Sequence, residues 1–485
     1  TPLDRVVYIV IHSNLTGGET EYRKLRRAMY GLGDAGRLWY KLVIPILIAI
    51  GFVQTMQDPC ILIWIEEESF LVVGLTTDDF KNARSKDKRG KEMLDRMHEE
   101  MKKHGWEFTT EEPLTGIIGV ALNWKNDNEY LTLLQTKGLN TVFDELFPNR
   151  DTELIPYVKT PMKKKWDEVD LDNSPKIEVA VWLRVLGLFA FITKTRLDIK
   201  EAFSKASTRT SKCTEKDLIF LVSLGAYLYH TRKVGLTFHP KRAEDTDSPI
   251  LSGSSDAAFL VYLQDSRSHI GTCMKYGERN TASGHFTAIS QKEKGLPSSS
   301  AVQAEIKATA EVAKDVIYYG GMVDAIRGYK SNQPAVINGD ATGAITACSD
   351  ISKIGQSRAM RHETGRIHMV KECVEQGILV IEKQDTEDLT SDILSKDVRT
   401  RKFWRHMPNL LGESEELEIA SRRATGDSSE GDIGRVHIAF LLDEEMENET
   451  ELDMAARNAK RNSHESEGTR GLRKLMEQGK KGIEV

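Results

Sequence analysis

The 485-residue sequence predicts a multidomain protein of mixed α+β and α/β class. Three observations carry that expectation. At roughly 100 to 200 residues per domain, the length implies about three domains. Short β-branched and aromatic runs alternate with longer segments of helical apolar spacing. Hydrophobic residues make up 40% and charged residues 29% of the chain, the usage of a folded globular protein rather than of collagen, a disordered chain or a disulfide miniprotein.

The elements follow in order. Leu38 to Ile50 has helical apolar spacing and stops at Gly51-Phe52, after which Cys60 to Trp64 and Phe70 to Leu75 read as strands. The second strand delivers two adjacent carboxylates, Asp78 and Asp79, ahead of the polar stretch Lys81 to Arg89. A charged amphipathic helix over residues 90–104, strands at Gly116 to Trp124 and Tyr130 to Gln135, and a helix from Lys137 to Phe147 complete the first part. From Thr160 the chain is polar and linker-like, and from Val179 to Tyr229 it is mainly helical. After a charged linker, Pro240 to Pro249, strand-like runs at Ile250-Leu251, Phe259 to Leu263 and Gly271 to Tyr276 precede a long helix from Ser299 to Tyr319. Pro334 to Asp340 reads as a buried strand, followed by a helix, a strand at Ile378 to Glu382 and a last helix near Thr390 to Lys396. Beyond Leu411 the composition, rich in Glu, Ser, Arg and Gly, predicts disorder, with a helix at Glu449 to Arg461.

The longest apolar stretch, Leu42 to Val53, is 12 residues with Pro45 and Gly51 inside it, short of the roughly 18 to 20 that span a bilayer, so no membrane partner is expected. Five scattered cysteines without a Cys-x-x-Cys pair signal neither a zinc site nor a disulfide framework. With no basic-then-apolar leader at Thr1, the expectation is an intracellular protein, not a secreted one, cut from something longer. The net charge of −6 sits in the tail: residues 411–485 hold 18 acidic and 11 basic residues, against 55 and 56 in residues 1–410. Local basic patches, Tyr22 to Arg27 and Lys81 to Lys103, keep nucleic acid open as a partner, although each alone reads as a solvated face.

Four carboxylates lie where secondary structure would make them converge: Asp256 in a strand, Glu305 in the long helix, Asp340 at the end of the buried strand and Asp392 near the last helix. Each alone is an ordinary surface or capping acid. Together they match the need of phosphodiester hydrolysis for two divalent ions held by hard oxygen ligands, which favours Mg²⁺ or Mn²⁺.

The words around these acids are Gly253-Ser254-Ser255-Asp256-Ala257-Ala258-Phe259, Asp265-Ser266-Arg267-Ser268-His269-Ile270-Gly271, Ser298-Ser299-Ser300-Ala301-Val302-Gln303-Ala304-Glu305, Asn338-Gly339-Asp340 and Ser391-Asp392-Ile393-Leu394-Ser395-Lys396. In that order they resemble the ribonuclease H domain of copia-type LTR retrotransposons. The resemblance implies a mixed sheet with helices over 246–410, metal binding and catalysis by Asp256, Glu305, Asp340 and Asp392, and a substrate contact at Arg361-His362. Ala258, Phe259 and Ala341 depart from the usual residues and bear on substrate fit.

Upstream, Ala28-Met29-Tyr30-Gly31-Leu32, Arg37-Leu38-Trp39-Tyr40, Asp58-Pro59 and Asp78-Asp79 resemble the reverse transcriptase palm of the same elements. Gly116-Ile117-Ile118-Gly119-Val120, Gln135, Lys159-Thr160-Pro161-Met162, Arg184-Val185-Leu186-Gly187 and Thr195-Arg196-Leu197-Asp198-Ile199 look like the palm end and the thumb or connection. The resemblance implies a partial palm over 1–165 with the polymerase metal pair Asp78 and Asp79, a helical thumb or connection over 166–245, and an acidic tail over 411–485. The third polymerase Asp would precede Thr1, so the expectation is an incomplete, inactive RNA-directed DNA polymerase beside a ribonuclease H that cuts the RNA strand of RNA–DNA hybrids. The implied partners are that hybrid, single-stranded RNA or DNA template and the N-terminal part of Pol; the implied location is a cytoplasmic particle or the nucleus. The alternative expectation is a decayed or repurposed element that binds nucleic acid without turnover.

Overall fold

The computed structural model describes residues 3, 5–12, 20–29, 31–76, 79–125, 130–150, 154–162, 171–239, 251–277, 282–349 and 362–426. They fall into two compact units, Thr1–Thr110 with Tyr318–Asn332, and Glu111–Ile317 with Gln333–Val485. The sequence expectation of a mixed α and β multidomain chain is met.

In the first unit, β1 (Tyr8–Ile11) pairs antiparallel with β2 (Glu21–Lys24). Helix α1 (Ala35–Ile50) precedes an antiparallel sheet of β3 (Val53–Gln54), β4 (Ile61–Glu66), β5 (Ser69–Thr76) and β6 (Asp79–Arg84), in that spatial order, and then comes α2 (Lys88–Lys103). Burial alternates along β5, which puts Leu71, Val73 and Leu75 on one face. There they meet Val43, Leu47 and Ile50 of α1 and Met93, Met97 and Met101 of α2. The four-residue spacing of those methionines turns the basic residues of α2 toward solvent, so this patch is the solvated face of an amphipathic helix. Asp87 starts the helix by accepting the backbone N–H of Gly90 at 2.7 Å. The largely polar stretch Asp79–Arg84 forms edge strand β6, which owes its place to pairing with β5 and to Phe80 packing on the core.

The second unit opens with β7 (Gly116–Ile117) and β8 (Val120–Lys125), a hairpin where one strand was expected, because Ile118 and Gly119 both take positive φ, 44° and 76°. Then follow β9 (Tyr130–Leu134), α3 (Thr136–Leu146), α4 (Val179–Ile192), α5 (Lys200–Ser207), α6 (Glu215–His230) and β10 (Leu236–Phe238), whose pairing with β9 completes a sheet of order β10-β9-β8-β7. Thr195 to Ile199 links α4 to α5 as a buried polar clamp. Arg196 donates to both Asp198 oxygens (2.9 and 2.7 Å) and to the carbonyl of Thr231, and Tyr227 donates to Asp198 at 2.6 Å.

A mixed five-stranded sheet comes next: β11 (Leu251–Tyr262), β12 (Arg267–Tyr276), β13 (Thr287–Lys292), β14 (Ala335–Gly339) and β15 (Leu379–Lys383), ordered β13-β12-β11-β14-β15. The β11–β12 and β12–β13 pairs are antiparallel, and β11–β14 and β14–β15 are parallel. The two strand-like runs expected at residues 250 and 259 are one strand, bent by an irregularity between Ala258 and Tyr262. The helices are α7 (Ala301–Arg327), α8 (Thr342–Ser349), α9 (Thr364–Glu375), α10 (Asp392–Ser395), α11 (Thr400–Leu411) and α12 (Glu415–Thr425). None of the described helices is long and apolar enough to cross a membrane.

One hydrophobic core includes Trp182, Phe189, Leu221 and Tyr227 of the helical segment together with Ile393, Trp404, Leu411 and Leu417. Helix α12 corrects the expectation of disorder from residue 411. Ser414 accepts the N–H of Leu417 at 3.3 Å, Leu417 and Ala424 are buried, and Glu416 meets Lys125 at 2.9 Å, so tertiary contacts order an acidic segment that composition alone would leave unfolded. The helix expected at residues 449–461 lies outside the described residues.

Candidate metal centre

Three of the four expected acids converge. Parallel pairing of Ser254 with Asn338 puts Asp256, in the middle of β11, level with Asp340, just past β14. Small residues let α7 come close over β11: Ala304 and Ala308 pack directly on Ala257 and Ile270. Glu305 then accepts the N–H of Ala257 at 3.1 Å. Carboxylate oxygens of Asp256, Glu305 and Asp340 all lie within 4.8 Å of one another. Thr386 orients Asp340 by donating to its Oδ2 at 2.7 Å.

Asp256 and Glu305 are buried, and Asp340 is half-buried. Desolvation raises the Asp256 carboxyl above its ordinary value against the pull of the Lys396 ammonium, with Asp392 and Asp340 adding to the rise. Desolvation and then the charges of Asp256 and Asp340 raise Glu305 further. Three crowded hard oxygen donors, with the ionised forms of Asp256 and Glu305 disfavoured, fit a divalent cation, because its charge removes the repulsion that raises those two. The cluster can therefore hold a metal ion.

Asp392 stands apart from this group. It is fully buried at the start of α10 and is neutralised by Lys396 at 2.8 Å and Lys402 at 2.6 Å. Lys396 also lies 3.4 Å from Asp256, and Ser395 donates a short hydrogen bond to the same Asp256 carboxylate. Of the four expected acids, Asp256, Glu305 and Asp340 thus lie directly against one another, and Asp392 is linked to Asp256 through Lys396, the residue after α10, while also pairing with Lys402 of α11. Charge pattern alone shows no such partners, although Lys396 belongs to the same six-residue word as Asp392.

Gly271 explains why α10 sits there. It pairs with Asp256 across β11 and β12, and a Cβ on it would lie 2.7 Å from the Ser391 carbonyl oxygen and 2.8 Å from backbone atoms of Leu394 and Ser395. Gly271→Ala is expected to cost about 1–3 kcal/mol, as overpacking does, and to weaken Mn²⁺ binding by displacing Ser395 and Lys396 from Asp256. Urea denaturation and Mn²⁺ titration check it; an unchanged affinity with an unchanged midpoint would refute the packing argument.

A second polar cluster escaped sequence reasoning. Buried Glu293 accepts from the N–H and Oγ of Ser298 (2.9 and 2.6 Å) and from Lys307 at 3.2 Å, and Lys307 lies 3.7 Å from Glu363, which pairs with Arg366. It ties β13 to α7 and α9, and the spread of its members along the chain leaves no local signal. His362 is exposed just before α9, and Arg361 lies outside the described residues. Asp78 also lies outside them. Asp79 is exposed and pairs with Lys81 at 3.1 Å, and its strand pairing with Thr76 places it at the tip of the β5–β6 hairpin.

No family model matches the chain. Its sequence is 24% identical over 381 residues to the retrovirus-related Pol polyprotein from transposon RE1 of Arabidopsis thaliana, covering 78% of this chain and 24% of that protein. It is 23% identical over 388 residues to that from transposon TNT 1-94 of Nicotiana tabacum, covering 78% and 27%, and 24% identical over 376 residues to that from transposon RE2 of Arabidopsis thaliana, covering 77% and 24%. The chain spans about a quarter of the length of these relatives. Over more than three quarters of its own length, then, the chain is similar to retrovirus-related Pol polyproteins of transposons, the resemblance its copia-type motifs predict.

Proposed function

We propose that this chain is a Pol fragment in which the module over 246–410 hydrolyses the RNA strand of RNA–DNA hybrids in a Mg²⁺-dependent reaction, with Mn²⁺ able to substitute. The carrying observation is the convergence of Asp256, Glu305 and Asp340 beyond the end of β14 in the mixed sheet. Asp256, Glu305 and Asp340 would hold the ion, while Thr386 fixes the rotamer of Asp340 and the Ala257 N–H that of Glu305. A divalent ion there supplies charge stabilisation for the scissile phosphate and a nucleophile at neutral pH. The hybrid is read through its backbone and 2′-hydroxyls, so little base specificity is expected. His362, exposed before α9, and Arg361 are assigned to substrate contact. The segments over 1–165 and 166–245 are assigned to an RNA-directed DNA polymerase, its palm with Asp78 and Asp79 and its thumb or connection.

Cleavage of a labelled RNA–DNA hybrid, with and without Mg²⁺, by the parent chain and by Asp340→Asn tests this reading. Metal-dependent cutting that falls at least about tenfold in the variant is expected, since even groups that only orient metal ligands cost about 10–100-fold when removed. Hybrid binding without any cutting, by folded parent protein in Mg²⁺ or Mn²⁺, would replace the nuclease with a binding-only module.

A further inference from the structure

The sheet of β7 to β10 carries a pocket of about 330 Å³ within the second unit, on a different sheet from the one that holds the acids. Lys125 and Asn123 enter it from alternate positions of β8, Asn140 from α3, and Arg232 and Lys233 from the turn between α6 and β10. Arg232 is held in place by lying over the Tyr229 ring, 4.5 Å from its centroid, and by donating to the Tyr229 carbonyl at 2.7 Å. The chain supplies an anion of its own here: Glu416, in the first turn of α12, accepts from Lys125 at 2.9 Å. Burial works to raise the Glu416 carboxyl, yet the Lys125 hydrogen bond, a backbone N–H and the charges of Lys125 and Lys233 bring it below its ordinary value. Among the lining residues, one carboxylate against Lys125, Arg232 and Lys233 leaves an excess of positive charge. The Lys125 and Glu416 side chains keep 39% and 28% of their exposure, and a pair so open to water is weak and exchangeable.

We propose that this pocket binds a backbone phosphate of the RNA–DNA hybrid, and that Glu416 stands in for that phosphate until the hybrid arrives. The class of partner rests on the Pol reading above; the contact itself needs no metal. A phosphodiester carries the same charge as the carboxylate it displaces, and binding it releases counterions from the strand, a gain that Glu416 cannot supply. The Arg232 fork suits phosphate oxygens, and the amides of Asn123 and Asn140 are neutral donors of the kind that contact backbone. Buried Leu417 and Ala424 and the Ser414 cap hold α12 without help from Glu416, so its side chain is free to leave while the helix stays.

Fluorescence anisotropy of a labelled RNA–DNA hybrid, titrated with the full chain in EDTA over a range of salt, tests it. Glu416→Gln is expected to bind several-fold more tightly than the parent, because the internal competitor is gone. Lys233→Gln is expected to bind more weakly and to lower the slope of log affinity against log salt by about 1, the mark of one lost phosphate contact. Glu418→Gln removes the same charge from α12 at an exposed site paired with Arg422, and is expected to bind as the parent does. Unchanged affinity in Glu416→Gln, an unchanged slope in Lys233→Gln, or equal tightening in Glu418→Gln each overturns the proposal. Displacement of the hybrid by adenosine monophosphate at micromolar concentration overturns it too, in favour of a mononucleotide pocket. If any of these occurs while the parent cuts the hybrid in Mg²⁺, the nuclease reading stands alone; a folded parent that neither binds nor cuts the hybrid overturns both.

Discussion

Arg196→Met is expected to lower the free energy of unfolding by about 3–5 kcal/mol, the usual cost of stranding one partner of a buried ion pair. Arg196 and Asp198 are each about 1% exposed, and Asp198 lies deep among Tyr227, Thr231 and the helices they sit on. Without the guanidinium, Asp198 keeps a single hydroxyl donor, from Tyr227, and no compensating charge. The carbonyl of Thr231 loses the Arg196 donor as well. Urea denaturation followed by tryptophan fluorescence measures the loss, since Trp182 and Trp404 are buried in the same core. Adding Asp198→Asn to Arg196→Met should recover part of it, because the stranded charge then disappears. A loss below about 1 kcal/mol, the worth of an exposed pair, would mean that the clamp is solvated.

Glu305→Gln is expected to stabilise the metal-free chain at neutral pH while destroying its response to Mg²⁺. The folded state raises the Glu305 carboxyl above its ordinary value of 4.5, through burial first and the neighbouring Asp256 and Asp340 charges second. A carboxyl raised in the folded state binds its proton more tightly there than in the unfolded chain, so stability falls as pH climbs above about 4.5. Glutamine carries no such penalty. At about 1.4 kcal/mol per pH unit of difference, a gain on the order of 2 kcal/mol at pH 7 is expected, shrinking to nothing below pH 4.5. Added Mg²⁺ should reverse the order by stabilising the parent, since a ligand that binds only the folded state raises stability by mass action. Thermal melts of both proteins across pH, with EDTA and with Mg²⁺, measure this. A variant that melts below its parent in EDTA at neutral pH would show that the Glu305 hydrogen bond to Ala257 outweighs the charge repulsion.

The ribonuclease-like words show how much of the site is legible in sequence. Asp256, Glu305 and Asp340 each stand beside residues that define an element: a β-branched or small-residue strand, the Ser-rich start of a helix, and a buried strand ending in Asn-Gly-Asp. Local patterning places Asp256 within a strand, Glu305 in the first turns of a helix and Asp340 just past a strand, and parallel pairing of β11 with β14 then brings two of them together. Asp392 was equally visible as a residue but not as a member of a different charge group, because its partner Lys402 belongs to another helix. Glu293, Lys307 and Glu363 carried no local signal for the same reason.

Sequence by itself determined the class of the fold, the order of most elements, the three clustered acids and the similarity to transposon Pol polyproteins. These depend on residue type and near-neighbour spacing, which set strand and helix propensity and survive at about 24% identity. Tertiary structure alone decided that β6 and β13 are strands, that Glu415–Thr425 is a helix, that Thr195 to Ile199 is a buried clamp and that Lys396 divides the acids. Each of these depends on a partner distant in sequence. An edge strand exists because β5 or β12 offers it hydrogen bonds, an acidic helix because Leu417 finds a core, and a lysine bridge because Gly271 leaves room for α10.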